Sequence, residues 1–199
     1  MVESQARMVG FSGWEMPVQF SSITKEHAAV RQQAGLFDIS HMGKFRLQGP
    51  DVLNLLQSLV PSDLARLQPG QAQYTVLLNP TGGIIDDVIF YFQGTAGTTQ
   101  YWLAIVNAAT KDKDKDWMTR HIGTQSVELI DESADKALIA IQGPQASQLL
   151  QTLTSDDLTP IPAFGHRETT MLSQPVFIAR TGYTGEDGFE IMLPAAAAT

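Results

Sequence analysis

The chain has 199 residues, no cysteine and a formal net charge of −8, from 13 Lys and Arg against 21 Asp and Glu. The absence of cysteine excludes a disulfide scaffold, a thiolate zinc site and a cysteine nucleophile. The acidic balance argues against broad binding to nucleic acid or to an anionic membrane, and no apolar run approaches the roughly 18 residues of a membrane helix. With 43% hydrophobic residues, the chain is expected to fold as one or two domains.

Strands and helices alternate along the chain, and tight hairpins recur. This pattern predicts an α+β fold with mainly antiparallel sheets flanked by helices. The predicted elements are a helix from 21 or 22 to about 33, strands 36–40 and 44–48 paired around 41–43, a helix over 52–59 with Asp51 as N-cap, strands 74–79 and 84–92, a strand 101–106, a helix 112–122, strands 127–130 and 137–142, a helix 145–153, and a last hairpin of 175–181 with 189–193.

Residues 45–64 (FRLQGPDVLNLLQSLVPSDL) and 139–158 (IAIQGPQASQLLQTLTSDDL) form an internal repeat, identical at nine of 20 ungapped positions. Each copy predicts a strand, a Gly-Pro turn and a helix, followed by a hairpin. Duplication therefore predicts two related modules with a ligand site between them, although chance or shared strand-turn-helix grammar is the alternative.

The strand over 84–92 carries two adjacent acids, Asp86 and Asp87, on opposite faces. Alternation places Asp87 with Ile85, Ile89 and Tyr91. Both faces are otherwise apolar, and burial of an unpaired carboxylate would raise its pKa, which suits general acid or base catalysis. The alternative is that both acids cap the turn or pair with Lys or Arg at the sheet end.

The segment 180–190 (RTGYTGEDGFE) is rich in glycine, which permits positive φ angles and close approach of a ligand. Tyr183 can stack or hydrogen-bond, and Glu190 can accept two N–H groups from an aminopyrimidine-like ring. The alternative is a hairpin loop with a solvated tip at Glu186 and Asp187. The sequence is too acidic for a phosphate loop.

Other motifs have simpler interpretations. The run 111–116 (KDKDKD) is typical of a solvated helix start, Asn107 is either a turn residue or a polar ligand contact, and Trp14 is expected in core or interface packing. The four histidines are scattered without metal-ligand spacing, so no metal is predicted.

Taken together, these segments resemble the aminomethyltransferase, or T-protein, family of the glycine cleavage system. The matching pieces occur in the family's order and are GFSGWEMPVQF (10–20), EHAAVRQQAGLFDISHMGK (26–44), LQGPD (47–51), YTVLLNPTGGIIDDVIFY (74–91), NAATKDKD (107–114), ALIAIQGP (137–144) and RTGYTGEDGFEI (180–191). The resemblance implies transfer of a methylene group from the aminomethylated lipoyl arm of the H-protein to tetrahydrofolate, with release of ammonia. Tetrahydrofolate is then the co-substrate and lipoylated H-protein the partner, with no nucleic acid or membrane involved.

The resemblance also implies roles for single residues. The family's catalytic Asp falls in the GGIIDD motif and matches Asp87 by strand context, with Asp86 as the second choice. Its implied role is to hydrogen-bond folate near N10 and to assist proton transfer as N5 attacks. Tyr183 and Glu190 match the pterin-site residues, and we expect Asp87 and Glu190, from equivalent hairpins, to meet across a central hole.

Three further residues match folate-lining positions of the family, namely Tyr74, Tyr91 and Asn107. The expected modules are 1–50 plus 138–199, truncated and discontinuous, and 51–137. Family members are nearly twice as long, so the chain is expected to be an N-terminal fragment without the C-terminal β-rich domain.

Two alternatives to the enzyme remain. One is a non-catalytic folate-binding regulatory or assembly module, and the other is a folate domain cut from a flavoprotein dehydrogenase. No transit peptide is visible, so the bacterial cytoplasm is the expected location, although a mature organellar protein would look the same.

Overall fold

The computed structural model describes residues 6–198 and divides them into short strands joined by hairpins and four α-helices. The strands are β1 (Arg7–Phe11), β2 (Trp14–Gln19), β3 (Gly35–Asp38), β4 (Gly43–Gly49), β5 (Gln71–Leu78), β6 (Ile84–Ala96), β7 (Thr99–Val106), β8 (Glu128–Asp131), β9 (Lys136–Gln142), β10 (His166–Met171), β11 (Gln174–Ala179) and β12 (Gly188–Pro194). The helices are α1 (Ile23–Gln32), α2 (Val52–Leu59), α3 (Lys111–Ile122) and α4 (Ala146–Gln151), with 3₁₀ turns at Leu64–Arg66 and Ala195–Ala197.

Two five-stranded sheets and one separate hairpin organise the fold. Sheet 1 has the order β5-β6-β7-β4-β8, sheet 2 has the order β10-β11-β12-β9-β3, and β1 pairs with β2. Neighbouring strands are antiparallel, which confirms the α+β prediction. Between residues 6 and 198, none of the helices has the length and apolar content needed to span a bilayer.

The predicted pairing of 36–40 with 44–48 is wrong, because the two strands belong to different sheets. β3 pairs with β9, whereas β4 lies between β7 and β8. The short connection crosses from sheet 2 to sheet 1 instead of turning back as a hairpin. Buried Lys44 holds this crossover, since its Nζ donates to the carbonyl oxygens of Ser40 (2.7 Å) and Met42 (2.9 Å).

The internal repeat corresponds to a structural duplication. β4-α2-β5-β6-β7 in sheet 1 repeats as β9-α4-β10-β11-β12 in sheet 2, with the same strand order. The outer strands are exchanged: β8 completes sheet 1 beside β4, and β3 completes sheet 2 beside β9. The glycines of the two Gly-Pro turns, Gly49 and Gly143, have φ angles of 141° and 132° and approach backbone atoms of Ser126 and Gln33 so closely that a Cβ would collide.

The expectation that Asp87 and Glu190 come from equivalent hairpins is wrong. Asp87 lies on β6, whose counterpart is β11, whereas Glu190 lies on β12, whose counterpart is β7. The hairpin that directly follows α4 is β10–β11. Its first strand reads HRETTM, too polar to stand out in the sequence.

The division into modules at residues 50 and 137 stays a prediction, but β4 does not fit it. This strand is hydrogen-bonded to β7 and β8, so its residues belong with sheet 1. We propose that the boundary falls in the crossover before Gly43 and not at residue 50.

Three apolar clusters define the layers. The first lies between sheet 1 and helices α2 and α3, and the third lies on the outer face of sheet 2, where Leu150 of α4 and Ile161 cover it. The second joins the two sheets face to face, and includes Tyr91, Leu103, Leu138 and Phe177. Along β7, Trp102 and Ala104 enter the first cluster while Leu103 enters the second, as strand alternation requires.

Strand β6 keeps this alternation except near its start. Val88 and Phe90 face the helices, whereas Ile89 and Tyr91 face sheet 2, so Asp87 is on the inter-sheet side and Asp86 on the helix side. Ile85 packs against the helix-side cluster and not beside Asp87, which corrects the predicted face. The cause is an irregularity at this end of β6, where Leu77 pairs with Asp86 but Leu78 pairs with Ile84.

The two predicted capping residues occupy the N-cap positions, but their side chains do not hydrogen-bond to the helix. Ser22 precedes α1, yet Glu26 Oε1 reaches back to the N–H groups of Phe20, Ser21 and Ser22. Asp51 precedes α2, and its carboxylate accepts the N–H of Ser126 instead.

Burial differs between the duplicated helices, which supplies a test of the layered core. Leu55 in α2 is 0% exposed, whereas its repeat partner Leu149 in α4 is 47% exposed. Leu55→Ala should lower the free energy of unfolding by about 2–5 kcal/mol, because it removes buried methyl groups and leaves a cavity. Leu149→Ala should cost about 1 kcal/mol or less, because much of that side chain already contacts water. Urea unfolding of both variants checks this, and equal losses would contradict the assigned layers.

Candidate functional site

A cavity of about 780 Å³ opens at one end of the space between the two sheets. Its walls come from the β1–β2 hairpin, the crossover after β3, the facing ends of β5, β6, β7 and β12, and the loop after β11. Most of the lining is apolar, with convergent polar groups, as in small-molecule sites of this size. Five of the six predicted site residues line it: Tyr74, Asp87, Asn107, Tyr183 and Glu190.

Asp87 is held at both carboxylate oxygens. Tyr74 Oη donates to Oδ2 at 3.0 Å, and Asn107 Nδ2 donates to Oδ1 at 3.0 Å. The strand register explains both contacts. Val76 of β5 pairs with Asp87 of β6, so Tyr74, two residues before Val76, is the diagonal neighbour of Asp87 on the same face. Asn107 follows Val106, which pairs with Val88, and so comes to lie beside Asp87. The bond to Asp87 raises the pKa of the Tyr74 hydroxyl.

Asp86 points to the other side of β6 and does not line the cavity. Its Oδ1 accepts from Asn107 Nδ2 at 3.2 Å, and its Oδ2 accepts a hydrogen bond from the Thr110 hydroxyl. Burial alone would raise the pKa of Asp86, but interaction with Asp114 and hydrogen bonds from Thr110 and Asn107 hold that pKa below its usual value. Neither Asp86 nor Asp87 pairs with a Lys or Arg within residues 6–198, so the ion-pair alternative is wrong.

Glu190 reaches the same cavity from sheet 2. Its Oε2 accepts from Thr181 Oγ1 at 2.5 Å and from Tyr91 Oη at 3.4 Å. Burial raises the pKa of Glu190, although the bonds from Thr181 and Tyr91 oppose this. The arrangement fixes one carboxylate oxygen of Glu190, and no hydrogen bond is formed by its Oε1 among the described residues.

Tyr91 does not line the cavity as expected but lies beneath it. The side chain is 1% exposed and packs edge-on against His166 (5.4 Å between ring centroids) and Phe177 (5.2 Å). Tyr91 shares a face of β6 with Asp87, as predicted, but the opposing sheet covers the Tyr91 side chain. Tyr91 therefore supports Glu190 from below and cannot touch a ligand directly.

The glycine-rich loop is shaped by a neighbouring side chain. Fully buried Gln142 donates its Nε2 to the Thr181 carbonyl oxygen at 3.0 Å. A Cβ at Gly182 would lie 2.0 Å from Gln142 Oε1, and one at Gly188 would lie 2.6 Å from its amide carbon. Glycine at these two positions therefore leaves room for the Gln142 side chain. The loop also places Tyr183 at the cavity, where its ring packs edge-on against Phe37.

Both acids of the expected solvated tip form ion pairs. Asp187 forms two hydrogen bonds with Arg180, at 2.8 and 2.7 Å, and Glu186 pairs with Arg31 at 2.8 Å. These ion pairs tie the loop to strand β11 and to helix α1.

Two residues outside the cavity wall differ in burial from what their sequence patterns suggest. Asp114 of the KDKDKD run is 0% exposed, so the solvated interpretation is wrong for this residue. It stands four residues before buried Met118, a spacing that marks the inner face of α3. Trp14, expected in core or interface packing, is 51% exposed, so the core alternative is wrong and the interface alternative stays a prediction.

Other residues that line the cavity were not among the predicted site residues. His41 and Met42 of the crossover and several side chains of the β1–β2 hairpin contribute to its walls. Burial lowers the pKa of His41, whose Nδ1 lacks a hydrogen-bond partner in the structure. The hairpin itself carries a signal, since Ser12-Gly13 has φ angles of 49° and 83° and Ser-Gly favours tight turns.

The cavity combines two acids with an apolar wall. Among the described residues that line it, none is Lys or Arg. Such a lining favours a flat, neutral ligand that donates several N–H groups to carboxylates, and it offers Asp87 as a proton acceptor beside that ligand.

Comparison with known proteins agrees with the geometry. A family model described as the GCVT N-terminal domain matches residues 1–199. The chain is 63% identical to an aminomethyltransferase of Nostoc sp. (strain PCC 7120) over 193 residues, covering 96% of this chain and 51% of the relative. It is 59% identical to an aminomethyltransferase of Rippkaea orientalis over 194 residues, covering 97% of this chain and 53% of the relative.

Solved structures give the same relationship. The glycine cleavage system aminomethyltransferase T from Bartonella henselae matches with a TM-score of 0.88 and 34% identity, covering 99% of this chain and 52% of that one. A heterotetrameric sarcosine oxidase from Corynebacterium sp. U-96 shares the fold alone, with a TM-score of 0.58 and 17% identity, covering 87% of this chain and 83% of that one.

The chain spans about half the length of the curated relatives that it matches. The match to the family model runs through the strands and loops that build the cavity. The chain therefore belongs to the GCVT N-terminal domain family.

Proposed function

We propose that the whole protein is a tetrahydrofolate-dependent aminomethyltransferase of the glycine cleavage system. It would move the methylene group of an aminomethyl-lipoyl arm on the H-protein to tetrahydrofolate and release ammonia. The relatives named aminomethyltransferase support the class of reaction. The site residues assigned below are supported by the geometry of the cavity.

One observation carries the proposal: two carboxylates, one from each sheet, face a single apolar cavity that no described cationic side chain lines. A reduced pterin fits these residues because it is flat, partly apolar and rich in N–H donors. Glu190 has a free Oε1 and a second oxygen fixed by Thr181, so it can accept adjacent N–H groups of an aminopyrimidine ring. Tyr183 and Ile89 add apolar surface to the same cavity.

Asp87 is the proposed catalytic residue. Tyr74 and Asn107 hold both of its oxygens, so the carboxylate is oriented before a ligand arrives. Tetrahydrofolate would supply the two nitrogens that take up the one-carbon unit. Asp87 would hydrogen-bond the ligand near N10 and assist proton transfer there, a contribution of roughly 10²- to 10⁴-fold in rate for positioned groups.

Substitution of Asp87 tests the catalytic assignment. In the full-length protein that carries this chain, Asp87→Asn should lower kcat by roughly 10²- to 10⁴-fold, because the amide keeps the shape but cannot take up a proton. The dissociation constant for tetrahydrofolate, measured by anaerobic calorimetry, should change by less than about threefold, since Glu190 and the apolar wall are intact. Methylene transfer from aminomethylated H-protein is the activity to assay.

Exposed Asp116, on the far side of helix α3, supplies the matched control for this test. Asp116→Asn should leave both constants unchanged. Unchanged turnover in Asp87→Asn would remove Asp87 from catalysis. Tetrahydrofolate binding without methylene transfer in any full-length preparation would favour the alternative of a folate-binding module.

The pH dependence of binding tests Glu190. Because burial raises the pKa of this carboxyl above 4.5, protonation removes the acceptor sooner than for an exposed glutamate as the pH falls. Tetrahydrofolate affinity should therefore weaken as the pH falls, and at a higher pH than an exposed glutamate would cause, in the unaltered protein. Glu190→Gln should weaken binding by about 10- to 100-fold at neutral pH, as expected for a lost charged hydrogen bond.

Glu190→Gln should also abolish this part of the pH dependence. Any dependence that persists in Glu190→Gln belongs to the ligand or to another group, so the variant corrects for protonation of the pterin. A Glu190→Gln protein with unchanged affinity would place the pterin elsewhere.

A further inference from the structure

A second carboxyl group lies behind the proposed catalytic aspartate. Asp114, in the first turns of α3, is 0% exposed, and neither of its carboxylate oxygens receives a hydrogen bond from a donor in the structure. Thr110 links it to Asp86 on β6, because the backbone N–H of Asp114 donates to the Thr110 carbonyl oxygen and the Thr110 hydroxyl donates to the Asp86 carboxylate. Two ionised carboxylates in contact and out of water would repel each other strongly.

The lysines on either side of Asp114 do not neutralise it. Lys113 Nζ donates to the carbonyl oxygen of Ile85 at 2.6 Å, and Lys115 pairs with Asp131 at 3.1 Å. Helix α2, which packs against α3, reads VLNLLQSL and contributes no titratable side chain. Within residues 6–198, the charged groups that act on Asp114 are thus Asp86 from β6 and Lys113 from its own helix.

We propose that Asp114 is kept as a neutral carboxylic acid whose O–H donates a hydrogen bond to the Asp86 carboxylate, and that it is a positioning residue for Asp87. The first part rests on the buried pair alone, and the second part rests on the proposed function. A protonated Asp114 satisfies one of its own orphaned oxygens and removes the like-charge repulsion in one step.

The positioning would pass through two side chains. Asp86 Oδ1 accepts from Asn107 Nδ2, and the same Nδ2 donates to Asp87 Oδ1. Asn107 is therefore shared between the two acids, and its orientation depends on where Asp86 sits. Thr110, at the start of α3, holds the other oxygen of Asp86. A shift of Asp86 would turn Asn107 away from Asp87 without any direct contact between Asp114 and a ligand.

The titration behaviour supports this arrangement. Burial first, and then the hydrogen bond and charge of Asp86, raise the pKa of Asp114 to about 8. The same contact keeps the pKa of Asp86 low, so the pair shares one proton at neutral pH. Lys44, whose pKa burial lowers to about 8, titrates in the same range. Only the difference between the unaltered protein and an Asp114 variant therefore assigns a midpoint to Asp114.

Infrared spectroscopy of the full-length protein tests the protonation without substrate. The difference spectrum between the unaltered protein and Asp114→Asn should contain the C=O stretch of a protonated carboxylic acid at neutral pH. The band should disappear as the pH is raised, with a midpoint near pH 8. Asp112→Asn is the matched control, because Asp112 lies two residues away with an 89% exposed side chain and should contribute no such band.

Steady-state kinetics of the same proteins test the positioning role. Asp114→Asn keeps an N–H donor for Asp86, so kcat at neutral pH should stay within about threefold, but the loss of activity above about pH 8 should be smaller than in the unaltered protein. Asp114→Leu removes the donor and should lower kcat by about 10- to 100-fold, with a KM for tetrahydrofolate changed less than about threefold.

The two readouts separate the outcomes. Absence of the band at neutral pH, or a midpoint near the ordinary value of about 4 for Asp, would overturn the protonation. A band with full kcat in Asp114→Leu would overturn the positioning role. If no variant or parent transfers methylene groups, the proposed function fails while the infrared result still decides the state of Asp114.

Discussion

The packing of two antiparallel sheets through one apolar layer is the constraint on which the site depends. Tyr91, Leu103, Leu138 and Phe177 fill the middle of this layer and fix how the sheets face each other. At one end the layer gives way to a cavity, where the side chains that continue the same strand faces are polar. Asp87 occurs two residues before Ile89 on β6, and Glu190 two residues before Met192 on β12. Side chains two residues apart on a strand share a face. Each acid therefore points to the inter-sheet side, where its buried neighbour also lies, and so into the cavity.

Duplication supplies the scaffold but not the symmetry of the site. The two halves share strand order, Gly-Pro turns and exchanged outer strands. Their acids, however, come from non-equivalent strands and have different surroundings. Asp87 is held by Tyr74 and Asn107 and stays open to the cavity, whereas Glu190 rests on Thr181 and Tyr91. This difference suits the two proposed roles, proton transfer for Asp87 and recognition of N–H donors for Glu190.

The sequence predicted the features that depend on local periodicity. Helix α2 follows from the spacing of Val52, Leu55, Leu56 and Leu59, and the hairpin of β5 and β6 follows from the Pro-Thr-Gly-Gly turn. Five predicted site residues do line one cavity, although their roles stay proposals. The resemblance to a family contributed to that choice as much as alternation did.

The errors concern contacts between distant parts of the chain. Whether β3 pairs with β4 or β9 depends on the crossover held by Lys44, which no local pattern reveals. Tyr91 has the predicted face, but only the opposing sheet decides that it is covered. Asp114 looks solvated in its charge run, and burial arises because the helix turns that one carboxyl towards Asp86 while its neighbouring lysines turn elsewhere.

The most direct test of the account is a crystal structure of the full-length protein with tetrahydrofolate, grown without oxygen. We expect the pterin ring to lie between the two sheets, with its aminopyrimidine edge on Glu190 and its N10 side within hydrogen-bonding distance of Asp87. Tetrahydrofolate bound outside this cavity, with Asp87 and Glu190 untouched, would contradict it.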